Sequence, residues 1–177
     1  MRILSRLILA FAALALLTGA APGARDAMAH FFHPFLGDLR EELADAKAGG
    51  RKGMLIMYHF EECPACAKMK QTVLNQPVVQ DWYRNTFRVI AIDIRGAQPI
   101  TGLDGRTLPE SEYARAVQIR GTPTFDFYGA DGTRDYRHVG GIFSVDEFLL
   151  LGQFVASGAH RNQTFAQFKV AQAKKGS

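Results

Sequence analysis

The feature that most limits what this chain can become is a pair of cysteines, Cys63 and Cys66, set directly behind an apolar run. Residues 54–60 read Met-Leu-Ile-Met-Tyr-His-Phe, a nearly unbroken hydrophobic stretch that suits a strand buried on both faces at the centre of a parallel sheet. Residues 64–75 then read as a helix, with Pro64 tolerated in its first turn. A Cys-x-x-Cys between strand and helix puts the first sulfur near unpaired backbone N–H groups and the positive end of the helix dipole, and both favour a thiolate. The thiolate is the species that attacks disulfides, so the placement points to redox chemistry with Cys63 as nucleophile. Cys66 falls within the same helical turn and can close on Cys63. Stripped of its context, the pair has three readings: a redox couple, half of a metal site, or an inert crosslink. So short a loop removes little entropy from the unfolded chain, which makes it a poor staple.

These two cysteines are the chain's whole supply, so a four-cysteine zinc site and a multi-bridge disulfide scaffold are excluded by count. The length of 177 residues suits one ordinary domain, and a hydrophobic fraction of 47% against 21% charged supplies a core. The formal charge of +4 is unevenly placed: residues 1–29 hold three arginines against one acid, leaving 18 basic and 16 acidic residues in the body. No basic cluster marks a nucleic-acid footprint, and no nucleic-acid partner is expected.

The amino terminus has the layout of a secretory signal. Arg2 and Arg6 precede the apolar run Leu7 to Leu17, followed by the small residues Thr18, Gly19, Ala20 and Ala21. A run of this length is about half the roughly 20 residues that a membrane-spanning helix needs. Ala27-Met28-Ala29 supplies an A-x-A cleavage site, whereas a cut at Ala21 would be followed directly by Pro22. No cysteine near residue 20 offers a lipoprotein anchor, and no Arg-Arg pair marks a twin-arginine signal. The expected organisation is a signal peptide over 1–29, a domain over 30–158 and a C-terminal tail over 159–177. In the tail Phe165 and Phe168 could pack back on a face, with the last residues frayed. The mature chain is expected to be a soluble monomer in an oxidising compartment, the periplasm.

Along the body, residues 35–48 read as an amphipathic helix with Leu36, Leu39, Leu43 and Ala46 on one face, stopped by Gly49-Gly50. Residues 78–85 form a helix after Pro77, and 87–94 a second strand. Residues 95–110, rich in glycine and proline, read as a loop with room for a short hairpin at Asp104-Gly105. A loop of that length is a candidate for shaping partner choice or a solvated insertion. Ser111 opens a short helix over 111–118; residues 124–128 and 134–139 pair across Gly129–Gly132; Ser144 and Glu147 make a capping box before a helix over 145–156. The order implies a mixed α/β sheet, one pair parallel and a later pair antiparallel, with helices on both faces. Trp82 and the phenylalanines at 87, 125, 127, 148 and 154 read as core, and His30 and His33 are weak candidates for a metal site.

Three stretches in this order resemble the thioredoxin family. Met54 to Cys66 resembles its central strand, active-site turn and helix; Ile119-Arg120-Gly121-Thr122-Pro123-Thr124-Phe125 resembles its cis-proline segment; and Val139-Gly140-Gly141 resembles its glycine loop, with Gly132 at the hairpin turn. The resemblance covers about residues 35–156, and the Phe-Glu-Glu-Cys-Pro-x-Cys style is most similar to secreted bacterial thioredoxins of the SoxW type, associated with sulfur-oxidation systems. It implies a thioredoxin fold and a thiol–disulfide oxidoreductase working without metal or organic cofactor. Cys63 attacks a partner disulfide and Cys66 resolves the mixed disulfide, with Pro64 and Ala65 on the active-site helix. It further implies a cis Thr122–Pro123 bond beside the cysteines, with Gly121, Thr122 and Pro123 shaping a groove for an extended client peptide.

Two departures from that family matter. Glu61 and Glu62 stand where a tryptophan usually precedes the first cysteine, and carboxylates near Cys63 raise its pKa. Met57 stands where the family carries a buried acid, so activation of Cys66 needs another base, with Glu61 and His59 as candidates, or water. The absence of histidine between the cysteines favours reduction of protein disulfides, with electrons from a membrane thiol relay outside this chain. The alternatives are an oxidant or isomerase of the same fold, a copper(I)- or zinc-handling module, and a binding scaffold with a vestigial site.

Overall fold

The computed structural model describes residues 23–175. The apolar run expected to carry the signal and the two C-terminal residues expected to fray lie outside the described residues. No helix among those described is long and apolar enough to cross a membrane.

A mixed sheet of four strands forms the centre, in the order β2 (Phe87–Asp93), β1 (Gly53–His59), β5 (Thr124–Gly129), β6 (Arg134–Val139). β1 runs parallel to β2 and antiparallel to β5, and β5 pairs antiparallel with β6. The alternation of the strands sorts their side chains between two cores. Leu55, Met57, Val89, Phe125 and Phe127 face one layer, built by α3 (Pro64–Thr72), α4 (Pro77–Thr86) and α6 (Val145–Ala156). Met54, Ile56, Tyr58, Ile90 and Ile92 face the other, beneath α2 (Leu39–Ala48) and α5 (Glu110–Ala116). Trp82 and the five phenylalanines lie in or against the first core, as expected. α4 and α6 meet closely at Gly152, where a β-carbon would collide with the Trp82 ring.

Where sequence and structure differ, local chemistry accounts for it. The first amphipathic helix starts at Leu39 rather than 35, because Asp38 caps it and Gly37 turns the chain at φ +98°. Leu36, expected on the buried face, is 91% exposed. The following short helix begins at Glu110, directly after Pro109, and Ser111 serves as no cap. Its end comes at Ala116 because Gln118 adopts a left-handed φ of +62°. Within 95–110 the short hairpin expected at Asp104-Gly105 is present, formed by β3 (Pro99–Thr101) and β4 (Thr107–Pro109). Ile100 anchors it in the second core.

Both ends of the described chain dock. The carboxylate of Asp26 caps α1 (Ala27–His30), Ala27 is buried, and Arg25 forks onto Asp81 of α4 at 2.8 and 2.9 Å. His33 is packed rather than free: the Val89 N–H donates to its Nδ1 at 3.0 Å. The tail forms α7 (Phe165–Lys175), whose Phe165 and Phe168 rings meet Phe154 at 5.5 and 5.3 Å. Lys169 on α7 ties to Glu147 at 2.6 Å.

Candidate active site

The parallel pairing of β1 with β2 brings their C-terminal ends together, with His59 opposite Asp93. The chain leaves β1 through Phe60, Glu61 and Glu62 and enters α3 at Cys63. Cys63 is the N-cap, extended at φ −73°, ψ 108°, and Pro64 takes the first helical position, where a missing N–H costs nothing. The Cys63 Sγ accepts the Cys66 N–H at 3.2 Å, so the sulfur occupies the place of a capping oxygen at the helix N-terminus. Cys63 and Cys66 are closed as a disulfide with Cα atoms 5.3 Å apart, and they are only 3% and 1% exposed. Ala65 packs half-buried against the first core.

A second segment closes over the sulfur. The Thr122–Pro123 peptide is cis, as the family resemblance implied. The Thr122 hydroxyl donates to Cys63 Sγ at 3.1 Å, a contact beyond the part in the client groove that the sequence analysis gave Thr122. The Gly121 carbonyl accepts the Thr124 hydroxyl at 2.7 Å, and the Pro123 carbonyl accepts the Gly140 N–H at 2.8 Å, which ties this turn to the glycine loop after β6. Val139 and Phe143, both large and exposed, flank that loop, and the Lys68 ammonium of α3 sits 4.4 Å from the Phe143 ring centroid.

The ionisable groups around the turn pair among themselves. Glu62 meets Arg95 at 2.9 Å, and the Arg95 guanidinium lies 3.8 Å from the centroid of Phe60. The His59 Nδ1 lies 3.4 Å from the Lys70 ammonium, one helical turn beyond Cys66. Burial, reinforced by Lys70, lowers the His59 pKa, and burial also lowers that of Lys70. Met57 is fully buried beneath this region, paired in register with Ala91 and Phe125. Among the described residues no hydrogen bond joins Glu61 or His59 to either sulfur. Arg95, Lys70 and the Thr122 hydroxyl were not singled out from sequence; Arg95 follows the end of β2, and it is the parallel register with β1 in the folded chain that brings it to the turn.

A sheet of this order, with Cys-x-x-Cys opening a helix and a cis-proline turn against its first sulfur, defines the thioredoxin-fold class. Residues 39–156 match the thioredoxin-like domain family, and the chain belongs to it. A thioredoxin from Thermus thermophilus is similar at 30% identity and TM-score 0.52, the match covering 67% of this chain and 84% of that one. A thioredoxin-fold protein from Helicobacter pylori is similar at 18% identity and TM-score 0.56, covering 69% and 80%. The reduced C-terminal domain of DsbD from Neisseria meningitidis is similar at 19% identity and TM-score 0.50, covering 65% and 91%. No curated protein matches the chain at a significant level. Fold and redox-active Cys-x-x-Cys together are consistent with a thiol–disulfide oxidoreductase.

Proposed function

We propose that the protein is an exported, periplasmic reductase of protein disulfides, similar to the SoxW-type thioredoxins and serving a sulfur-oxidation system. The observation that carries the redox part is the position of the Cys63 sulfur: at a helix N-terminus, facing the Cys66 N–H and the Thr122 hydroxyl. In the dithiol state those donors, with the helix dipole, stabilise a thiolate. That thiolate attacks a client disulfide; a Cys63–client bond forms and one client sulfur leaves as thiolate, taking a proton from water. Cys66 then loses its proton and attacks Cys63 Sγ. The mixed disulfide breaks, the second client thiol departs, and Cys63–Cys66 closes. Two electrons have passed to the client, and a membrane thiol relay restores the dithiol.

Gly121, Thr122 and Pro123 shape the edge along which an extended client lies, and exposed Val139 and Phe143 offer it apolar contact. The Pro-Ala dipeptide between the cysteines and the signal-like amino terminus support the direction and the compartment. Two measurements test the reading. Cys66→Ser should accumulate a mixed disulfide with a periplasmic protein, and failure to trap one with any such protein defeats the exchange mechanism. Equilibration of the couple with defined thiol buffers should give a potential near about −270 mV, whereas about −120 to −180 mV would make the protein an oxidant or isomerase.

A further inference from the structure

We propose that Arg95 is a positioning residue for the redox couple: by pairing with Glu62 and covering Phe60 it fixes the turn that delivers Cys63 and cancels one of the two negative charges beside it. The inference rests on the redox reading of Cys63 and Cys66. It extends that reading to a residue 32 positions away in sequence.

The geometry is that of a clamp. Phe60, Glu61 and Glu62 form the whole link between β1 and Cys63, and the Cys63 N–H donates back to the Phe60 carbonyl at 3.3 Å. A single guanidinium holds both ends of this link, Phe60 by its ring at 3.8 Å and Glu62 by its carboxylate at 2.9 Å. Arg95 is itself anchored from below. The Ile94 N–H donates to the His59 carbonyl at 2.8 Å, and the Arg95 N–H to the Asp93 carboxylate at 2.8 Å. The parallel register of β1 and β2 therefore places Arg95 over the turn.

The electrostatic consequence falls on the reduced state alone, because only there does Cys63 carry charge. Like charges on Glu61 and Glu62 oppose a Cys63 thiolate, and an opposite charge held among them relieves that opposition. Arg95 offsets Glu62, and Glu61 interacts with the Lys70 ammonium of α3, whereas without Arg95 the Glu62 charge acts unopposed. The other ionisable groups on neighbouring elements are Lys68 and Lys70 on α3, His59 and Asp93 at the strand ends, Glu110 of α5, whose carboxylate accepts the Asp93 N–H at 3.1 Å, and Arg120 ahead of the cis-proline turn. None of them is altered in the test. Arg95 and Glu62 are both exposed, so the effect is modest and screened by salt.

The test uses the mature protein with Cys66→Ser, reduced, and reads the rate of Cys63 alkylation by iodoacetamide against pH at low and high salt. At low salt Arg95→Gln should shift the profile to higher pH and slow alkylation on its acid limb roughly two- to three-fold. Arg95→Lys should retain most of the original profile, and Arg95→Gln combined with Glu62→Gln should restore it. High salt should shrink the difference. An unchanged Arg95→Gln profile overturns the proposal. So does a double variant as slow as the single, or a difference indifferent to salt. Disulfide turnover by the unmodified protein is measured in parallel. If it is absent, the redox reading fails; if it is normal and Arg95→Gln matches the parent, only the role of Arg95 fails.

Discussion

The Thr122 hydroxyl donates to the Sγ of Cys63 at 3.1 Å across 59 residues of sequence. The contact joins the two segments that define the site, the helix start after β1 and the cis-proline turn before β5. A hydroxyl donor facing a sulfur favours the charged form once the disulfide opens, and hydrogen bonds to charged groups are worth about 1.5–3 kcal/mol. Part of that gain in thiolate population is offset, because a less basic thiolate is a weaker nucleophile. Thr122→Val, which keeps the shape and deletes the donor, should therefore slow attack on a disulfide substrate roughly three- to ten-fold at neutral pH, and Thr122→Ser should stay close to the parent. Stopped-flow reduction of a model disulfide measures both, and a Thr122→Val rate equal to the parent would show that the hydroxyl does not reach the thiolate.

On the far side of the sheet, Asp126 is completely buried and is held by Arg137 of β6 through two contacts of 2.6 Å. Arg137 also donates to the Val117 carbonyl at 3.0 Å, so the side chain that holds the buried carboxylate also ties down the end of α5, while Arg134 stands 3.8 Å from the same carboxylate. Removing one partner of a buried pair leaves an uncompensated charge and costs about 3–5 kcal/mol, while replacing both by apolar groups costs far less. Arg137→Leu leaves the more distant and more exposed Arg134 beside the carboxylate, so it should lower unfolding stability by up to about 3 kcal/mol, and adding Asp126→Leu should recover much of it. Denaturant unfolding decides: a single variant as stable as the double one removes the ion pair from any role in the fold.

How far the sequence disclosed this protein depended on how local each signal is. Strand pairing, the cis-proline segment and the Ser144 cap are written in runs of a few adjacent residues, and the structure reproduces them. The hairpin of β3 and β4 was legible only from its Asp104-Gly105 turn, because strands of three residues with prolines at their edges are too short for alternation to register. The exposure of Leu36 turned on Gly37, where a positive φ overrides an apolar pattern that otherwise runs on smoothly. At the site, the cysteines could be read directly, because strand, turn and helix are contiguous. The Thr122 hydroxyl and Arg95 lie 59 and 33 residues from their partners Cys63 and Glu62, and only the folded register brings them together.

The amino-terminal junction is open to a direct check. Cleavage after Ala29 would remove the Asp26 cap of α1, the buried Ala27 and the Arg25–Asp81 fork, and would free the Gln80 amide from the Arg25 carbonyl. A lost cap costs about 1 kcal/mol, and exposure of the apolar surface under Ala27 adds to it. A chain starting at His30 should therefore be less stable than one starting at Gly23 by about 1–2 kcal/mol. Amino-terminal sequencing of the exported protein shows whether it keeps these contacts: the cut expected after Ala29 gives a start at His30. A mature terminus at His30 with undiminished stability would show that these contacts contribute nothing.

Acid should loosen the fold through its neutral histidines. His33 is buried, accepts the Val89 N–H, and lies among Arg84, Arg88 and Arg51; burial first, then Arg84, lowers its pKa from 6.5 to about 4. Burial lowers His59 and His138 in the same direction. A group whose folded pKa is depressed binds fewer protons in the folded than in the unfolded chain between the two values, so stability rises with pH across that window. The contribution of His33 is complete above about pH 6.5 and is lost as pH falls from there through about 4. Denaturant midpoints measured from pH 8 to pH 4 should fall most steeply below pH 6.5. His33→Gln, which keeps a side chain able to accept the Val89 N–H but cannot titrate, should flatten that slope while lowering stability at pH 8. An equally steep slope in the variant would assign the acid sensitivity to other groups.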